Sequence, residues 1–391
     1  MKLVADQQEL AAGVGWVAKG LPHRTSTPVL LGLYFSAGFA NTTVAGTDHA
    51  MAAEVVLNCQ VDAEGTCLVP GRMLAEITKL LPPGPVELTA ADDRFVVRSG
   101  GAVYSLPLLP VADYPTNTAH RSQAPLVAEP SPAPLVAEPS EGGGDAASSP
   151  SPRSAVDAGE FAVAVGQVGV SAARDDVVPA LAGINLSFSG DTVELASTDR
   201  YRLGIARVEL TEPVEAFDVL VPAKTLGELS RAFAADGGQV LLSLADETLL
   251  LRNNERSAWV RTLSGPYLPY RRIVPDETPI SATVDRIALR DVVKRLSVVA
   301  DGMTPIWLEY GERSVRVYAG SGDDASGAET LPITGSGDPL TVAFTGQLLL
   351  DAINSFATEQ LTMSYTGGRK PAVLTGGQSY LHVITPRLLP Q

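Results

Sequence analysis

VLVPAKTLGELSRAFA, residues 219–234, passes from an apolar run through Pro222 into a segment where Leu226, Leu229 and Phe233 recur at spacings of three and four. That pattern is a strand end feeding an amphipathic helix. The same phrase occurs twice more. LVPGRMLAEITKLLP (68–82) carries Leu74, Ile77 and Leu81, and TVAFTGQLLLDAINSFA (341–357) carries Leu349, Ile353 and Phe356. Two short alternating strands with a polar turn follow each copy: VELTAADDRFVVRS, VLLSLADETLLLRN and LTMSYTGGRKPAVLTG. A repeat this long sets the architecture before any single residue does.

The frame extends upstream. AGTDHAMAAEVVL (45–57) aligns with ASTDRYRLGIARVEL (196–210), each with a Thr-Asp pair before an apolar strand; Thr47 lies 23 residues before Pro70 and Thr198 lies 24 before Pro222. Lead-in helices are predicted over 7–21, 165–181 and 287–301. A helix must bury its apolar stripe, and here its neighbours are sheets. The expectation is an α+β protein of three similar two-helix, β-sheet domains at 1–116, 155–275 and 276–391. Residues 117–154 between the first two are Pro-, Ala-, Ser- and Gly-rich. They hold APLVAEPSPAPLVAEPS, one phrase said twice with five prolines in seventeen residues, and read as a linker insertion.

The 391 residues are 45% apolar and 19% charged, an ordinary globular balance. No apolar run is long enough for a membrane span, and acids appear too early in MKLVADQQELAAG for a signal peptide, so the expected location is cytoplasmic. Cys59 and Cys67 stand on what read as two arms of a short hairpin, and free thiols are expected. His23, His49, His120 and His382 are scattered without metal-ligand spacing, and no glycine-rich run lies between a strand and a helix. Asp92-Asp93 and Asp323-Asp324 fall in predicted turns, and Asp175-Asp176 ends a predicted helix; all three pairs read as solvated charge. Nothing here favours catalysis, so the expectation is a binding or scaffold protein with no cofactor and no metal.

Several stretches together resemble the β sliding clamp family, the processivity subunit of bacterial DNA polymerase III, in a divergent, actinobacterial-like form. They are ASTDRYRLGIARV, VPAKTLGELSR, SGPYLPYRRIVP, VRSGGAVYSLPLLPVADYP, AFTGQLLLDAINSF and YLHVITPRLL. The resemblance implies a head-to-tail homodimer, a six-domain ring with helices facing a hole through which duplex DNA passes without base-specific contacts. Charge is compatible with this. The chain carries −15, whereas the six predicted helices with their flanks are nearly neutral, so the acid lies elsewhere. A near-neutral lining tolerates phosphates without gripping them.

By the same resemblance Arg24, Arg174 and Lys224 are DNA-facing candidates. The replicative polymerase, the clamp loader and repair proteins would insert short Gln-x-x-Leu-Phe peptides into one groove between the second and third domains. That groove would use Leu181, Thr198, Tyr201, Arg202, Leu203, Arg272, Ile273, Met303, Pro371, His382, Val383, Ile384, Thr385, Pro386, Arg387 and Leu388, with Arg202, Arg272 and Arg387 framing its wall. Tyr104 and Leu106 would meet Leu296 and Val298 where the ring closes. The carboxyl end departs from the family's Met-Pro-x-Arg-Leu: the proline stands one place later, at Pro386, and His382 replaces an aliphatic. Proline restrains the residue before it, so the groove is expected to differ in shape. An alternative therefore stands beside the ordinary clamp: a second-copy clamp whose altered groove takes partner peptides but resists a groove-binding antibiotic. A non-encircling scaffold and an enzyme built on the same frame are the rivals from other classes.

Overall fold

The computed structural model describes residues 1–22, 24–115, 153–175, 177–300, 304–320, 325–377 and 379–387. The 117–154 insertion, apart from its last two residues, lies outside them, as do Met303 and Leu388. The described chain divides into two units, Met1–Arg153 with Ser243–Arg261, and Ser154–Leu242 with Thr262–Gln391.

Among the described residues there are six α-helices: α1 (Gln7–Lys19), α2 (Gly71–Leu80), α3 (Ala158–Gly169), α4 (Ala223–Asp236), α5 (Arg286–Val299) and α6 (Gly346–Asn354). They pack in pairs, α1 with α2, α3 with α4 and α5 with α6, one pair for each repeat of the sequence. The first helix of every pair starts the same way. A short strand ends in an aspartate whose carboxylate accepts backbone N–H groups of the first turn: Asp6 from Gln8 at 2.9 Å, Asp157 from Glu160 at 2.9 Å and Asp285 from Ala288 at 2.7 Å. Such a cap satisfies donors that the helix cannot, and fixes where it begins.

That cap corrects the expected third helix. It runs from Ala158 to Gly169, not over 165–181. Its buried stripe is Phe161, Ala164, Val165 and Val168, set by Asp157 at the start. Arg174 and Asp175 therefore lie beyond the helix, in bends, and the acid pair does not end it; Asp176 is outside the described residues. The cysteines are corrected too. Cys59–Ala63 pairs with Lys2–Asp6, while Gly65–Pro70 pairs with Gly32–Ala37, so the two strands form no hairpin. Both thiols are free.

In the first unit one antiparallel sheet runs Cys59–Ala63, Lys2–Asp6, Pro85–Ala91, Arg94–Ser99, Ala102–Pro107, which leaves the last strand at an edge. Of a second, eight-stranded sheet this unit holds, in order, Gly65–Pro70, Gly32–Ala37, Thr42–Thr47, Met51–Leu57, Arg256–Arg261 and Thr248–Arg252. Helix and sheet approach closely here: a Cβ on Gly46 would stand 2.9 Å from Leu21 and 3.0 Å from Val17. In the second unit a seven-stranded sheet orders Gly183–Thr198, Arg202–Pro222, Tyr380–Ile384, Ala372–Thr375, Gln360–Tyr365, Ile280–Asp285 and Thr334–Ser336. A four-stranded sheet ends on Gly327–Pro332 at one edge. The pairing of Arg202–Pro222 with Tyr380–Ile384 joins the second repeat to the third, and the candidate site is built on it.

Candidate functional site

The site begins with a five-residue turn. Thr198 Oγ1 donates to the Arg202 carbonyl at 2.6 Å and accepts from the Arg200 N–H at 3.1 Å. Asp199 Oδ1 accepts from the N–H groups of Tyr201 and Arg202, both at 3.0 Å. Arg200 takes φ 78°, a left-handed conformation that side chains rarely adopt, and the two Thr-Asp side chains hold it there. The turn throws Tyr201 out, 64% exposed, and sends Arg202 inward.

Arg202 is not on a rim. Its side chain is 4% exposed and both ends of its guanidinium are taken: Nε donates to Asp199 Oδ2 at 2.9 Å and Nη1 to Asp351 Oδ2 at 2.8 Å. Asp351 sits on α6, and its Oδ1 accepts from Gln347 Nε2 at 2.6 Å.

Strand register then divides the sequence-derived groove residues between two faces. Arg202 opposes Ile384, Leu203 opposes Val383, and Gly204 opposes His382. Paired residues share a face and successive ones alternate. Arg202, Ile384 and His382 therefore face the helices; Tyr380, two residues from His382 and on the same face, reaches the Gln167 carbonyl of α3 at 3.0 Å. Leu203 and Val383 face the other way, into a cluster with Ala196, Ile205, Tyr270 and Val373 over which Tyr267, Val274 and Leu381 pack.

His382 is completely buried. Its Nδ1 lies 2.9 Å from Tyr380 Oη, whose proton has the Gln167 carbonyl as an acceptor, while Nε2 has no partner. Burial, helped by the Arg202 charge and opposed by Asp351, pushes the imidazole pKa down to about 3, so it is neutral at any ordinary pH. Beyond the strand, the Thr385 N–H donates to the Tyr201 carbonyl at 2.8 Å and the Arg387 N–H to Ala343 at 2.7 Å. This pins the last stretch so that Thr385 and Arg387 are exposed and Pro386 between them is buried.

A second wall comes from the 3-10 turn Tyr270–Ile273, which exposes Arg272 and Ile273. It is moored by Glu194, a lone acid in a strand that no local pattern singles out. Glu194 Oε1 accepts from Tyr270 Oη at 2.8 Å and from Arg271 Nε and Nη2 at 3.0 and 2.8 Å, and Oε2 accepts from Arg207 Nε at 2.9 Å. Burial pushes this carboxyl up, but the three donors outweigh it and hold it below its usual range. Leu181 is buried in the turn Pro179–Ala182, with its carbonyl accepting from the Ala173 N–H at 2.8 Å; Pro371 is half-buried.

Of the other candidates, Arg24 and Lys224 are exposed. Arg174 is 80% exposed and reaches Asp351 Oδ2 at 3.4 Å. Tyr104 is partly exposed on the edge strand, but Leu106 faces inward opposite Phe95. Leu296 belongs to the buried stripe of α5, whereas Val298 is 83% exposed. Val103, also exposed on the edge strand, escaped the sequence reading. Among the described residues no group of His, Cys, Asp or Glu is placed to hold a metal, and no helix is long and apolar enough to cross a membrane.

Three helix pairs over antiparallel sheets, joined by strand pairing between repeats, define a sliding-clamp fold. A search of solved structures gives the same fold: a DnaN sliding clamp of Pseudomonas aeruginosa, solved bound to griselimycin, superposes with TM-score 0.85 over 100% of both chains at 21% identity. The N-terminal, central and C-terminal domain profiles of the DNA polymerase III beta subunit match residues 1–118, 155–269 and 271–386. The beta sliding clamp of Streptomyces coelicolor is 33% identical over 403 residues, covering 99% of each chain. The beta sliding clamp homolog GriR of Streptomyces muensis is 30% identical over 385 residues, covering 97% of this chain and 95% of its own. The chain belongs to the beta sliding clamp family, the beta subunits of bacterial DNA polymerase III, with actinobacterial relatives among its matches.

Proposed function

We propose that the chain acts as a processivity clamp without catalytic residues of its own. Two copies close head to tail around duplex DNA in the cytoplasm and tether the replicative polymerase, the clamp loader and repair proteins. The domains are those at 1–116, 155–275 and 276–391, with 117–154 as a linker insertion. The observation that carries this is the threefold recurrence of a capped helix pair, within which helices carrying −1 to +3 each sit in a chain of −15. Ring closure is supported by two open sheet edges, Ala102–Pro107 and Gly327–Pro332, with Val103, Tyr104 and Val298 exposed nearby. Open edges are a liability, and pairing across copies covers them. Partner peptides enter beside Tyr201, Ile273, Arg272 and Arg387; each Leu or Phe buried there contributes about 1.5–3 kcal/mol. The test is a processivity assay with cognate polymerase and clamp loader on nicked circular DNA. Longer products in its presence are expected. Monomers only at micromolar concentration by sedimentation, with no gain in product length, would refute the clamp.

A second property is favoured by one observation. Among the proposed groove residues His382 is a buried, neutral imidazole whose Nε2 has no partner, and Thr385-Pro386 departs from the family's usual ending. The groove then accepts linear partner peptides and discriminates against a groove-directed inhibitor, as a resistant second-copy clamp requires. Equal inhibitor affinity here and in an ordinary clamp would dispose of it.

A further inference from the structure

Asp351 is the point where three otherwise separate parts of the site meet. Its Oδ2 accepts from buried Arg202 at 2.8 Å and from exposed Arg174 at 3.4 Å. Arg202 in turn holds Asp199, whose other oxygen fixes the N–H groups of Tyr201 and Arg202. One side of the groove is thus moored to α6 from beneath. The other is moored through Arg174, because the neighbouring Ala173 N–H is bonded to the carbonyl of Leu181.

The two moorings are unequal. The Arg202 pair is shielded from water, and losing either partner leaves an uncompensated charge. The Arg174 pair is long and 80% exposed on its cationic side, so it is weak and readily exchanged. A duplex phosphate is a strong acceptor for a guanidinium and competes for Arg174. Leu181 is only 7% exposed, so it offers a peptide little area until its turn moves.

We infer that Asp351 is a positioning residue of the groove, holding Arg202 and the Tyr201 turn in place, and that through Arg174 it makes peptide affinity rise when duplex DNA is engaged. The inference rests on the proposed DNA-facing and peptide-binding roles. A phosphate that draws Arg174 away leaves Asp351 wholly to Arg202, so the Tyr201 wall is kept while the Leu181 turn is released to meet the peptide. A ligand at one site then changes affinity at the other by differential contact with two arrangements of one element.

The experiment measures the affinity of a Gln-x-x-Leu-Phe peptide for the full chain, with and without excess duplex oligonucleotide at low salt. The wild type is expected to bind a few-fold tighter with duplex. Arg174→Ala should bind that much tighter without duplex and no longer respond to it. Asp351→Asn should bind about tenfold more weakly and ignore duplex, and Asp351→Glu should recover part of both properties. A merely structural residue would not govern the duplex response, and Arg174→Ala, an exposed change, tests the coupling even if Asp351→Asn does not fold. Asp351→Asn binding with wild-type affinity and response, or Arg174→Ala leaving both measurements unchanged, overturns the inference. No peptide binding by the wild type would instead overturn the groove itself.

Discussion

The turns at Thr47–Met51 and Thr198–Arg202 are the same object in two surroundings. In the first, Thr47 Oγ1 donates to the Met51 carbonyl at 2.9 Å, Asp48 Oδ1 accepts from Ala50 and Met51 at 3.0 and 2.7 Å, and His49 takes φ 70°. The second repeats each bond, with Arg200 in place of His49. Even the strand beyond is matched: Arg261 donates to Ala50 as Thr385 donates to Tyr201. They part at the fifth residue. Met51 lies over Gly20, where an added Cβ would fall within 2.4 Å of its Cε, whereas Arg202 reaches two carboxylates. The turn is therefore a local folding device. One side chain and its surroundings turn one copy into a candidate binding site and leave the other as packing.

The sharpest way to break that comparison is Arg202→Met, which gives the second turn the first one's residue. Asp199 and Asp351 lose their shared cation in a largely buried place, and a loss of about 3 kcal/mol is expected in urea unfolding. A loss below about 1 kcal/mol would mean that the two surroundings differ less than the geometry says. His382 tests the same interior by pH. Its imidazole resists protonation in the fold down to about 3 but protonates near 6.5 in the unfolded chain. Stability should thus fall as pH drops through that window, by up to about 1.4 kcal/mol per unit from this group. His382→Leu should unfold with a visibly shallower pH dependence between 6.5 and 4; identical profiles would show that the imidazole is solvated. Thr47→Val and Thr198→Val each remove a hydroxyl that donates and accepts. Matched losses of about 1–2 kcal/mol are expected, and a mismatch above 1 kcal/mol would end the claim that the turns are equivalent. The smallest effect is His49→Gly or Arg200→Gly. Relief of the left-handed strain offsets glycine's greater entropy loss, so both should lie within about 0.5 kcal/mol of wild type by thermal unfolding.

Much of this was legible. Five of the six helices fall where three-four spacing places them, because each buries one stripe. The third starts earlier than the expected 165–181, because Asp157, in the pattern shared by LVAD, SAVD and ATVD, caps its first turn. The Thr-Asp turns were visible as a repeated pair. Of Arg202, Arg272 and Arg387, expected to frame one wall, Arg272 and Arg387 are exposed, whereas Arg202 is consumed by ion pairs in the interior. Glu194 and Asp351 gave no signal, since a single acid in a strand or a helix is ordinary until its partners are known.

The sequence by itself determined the repeat, the caps, the turns and the period of each buried face, because these depend on bonds and side chains a few residues apart. Tertiary structure alone decided which copy of the turn carries an ion pair. Arg202 and Asp351 are 149 residues apart, and Glu194 and Arg271 are 77. Nothing local selects such partners. They meet because strand register puts Arg202 on the helix face and α6 brings a carboxylate beneath it, and the cost of burying either charge alone holds them together.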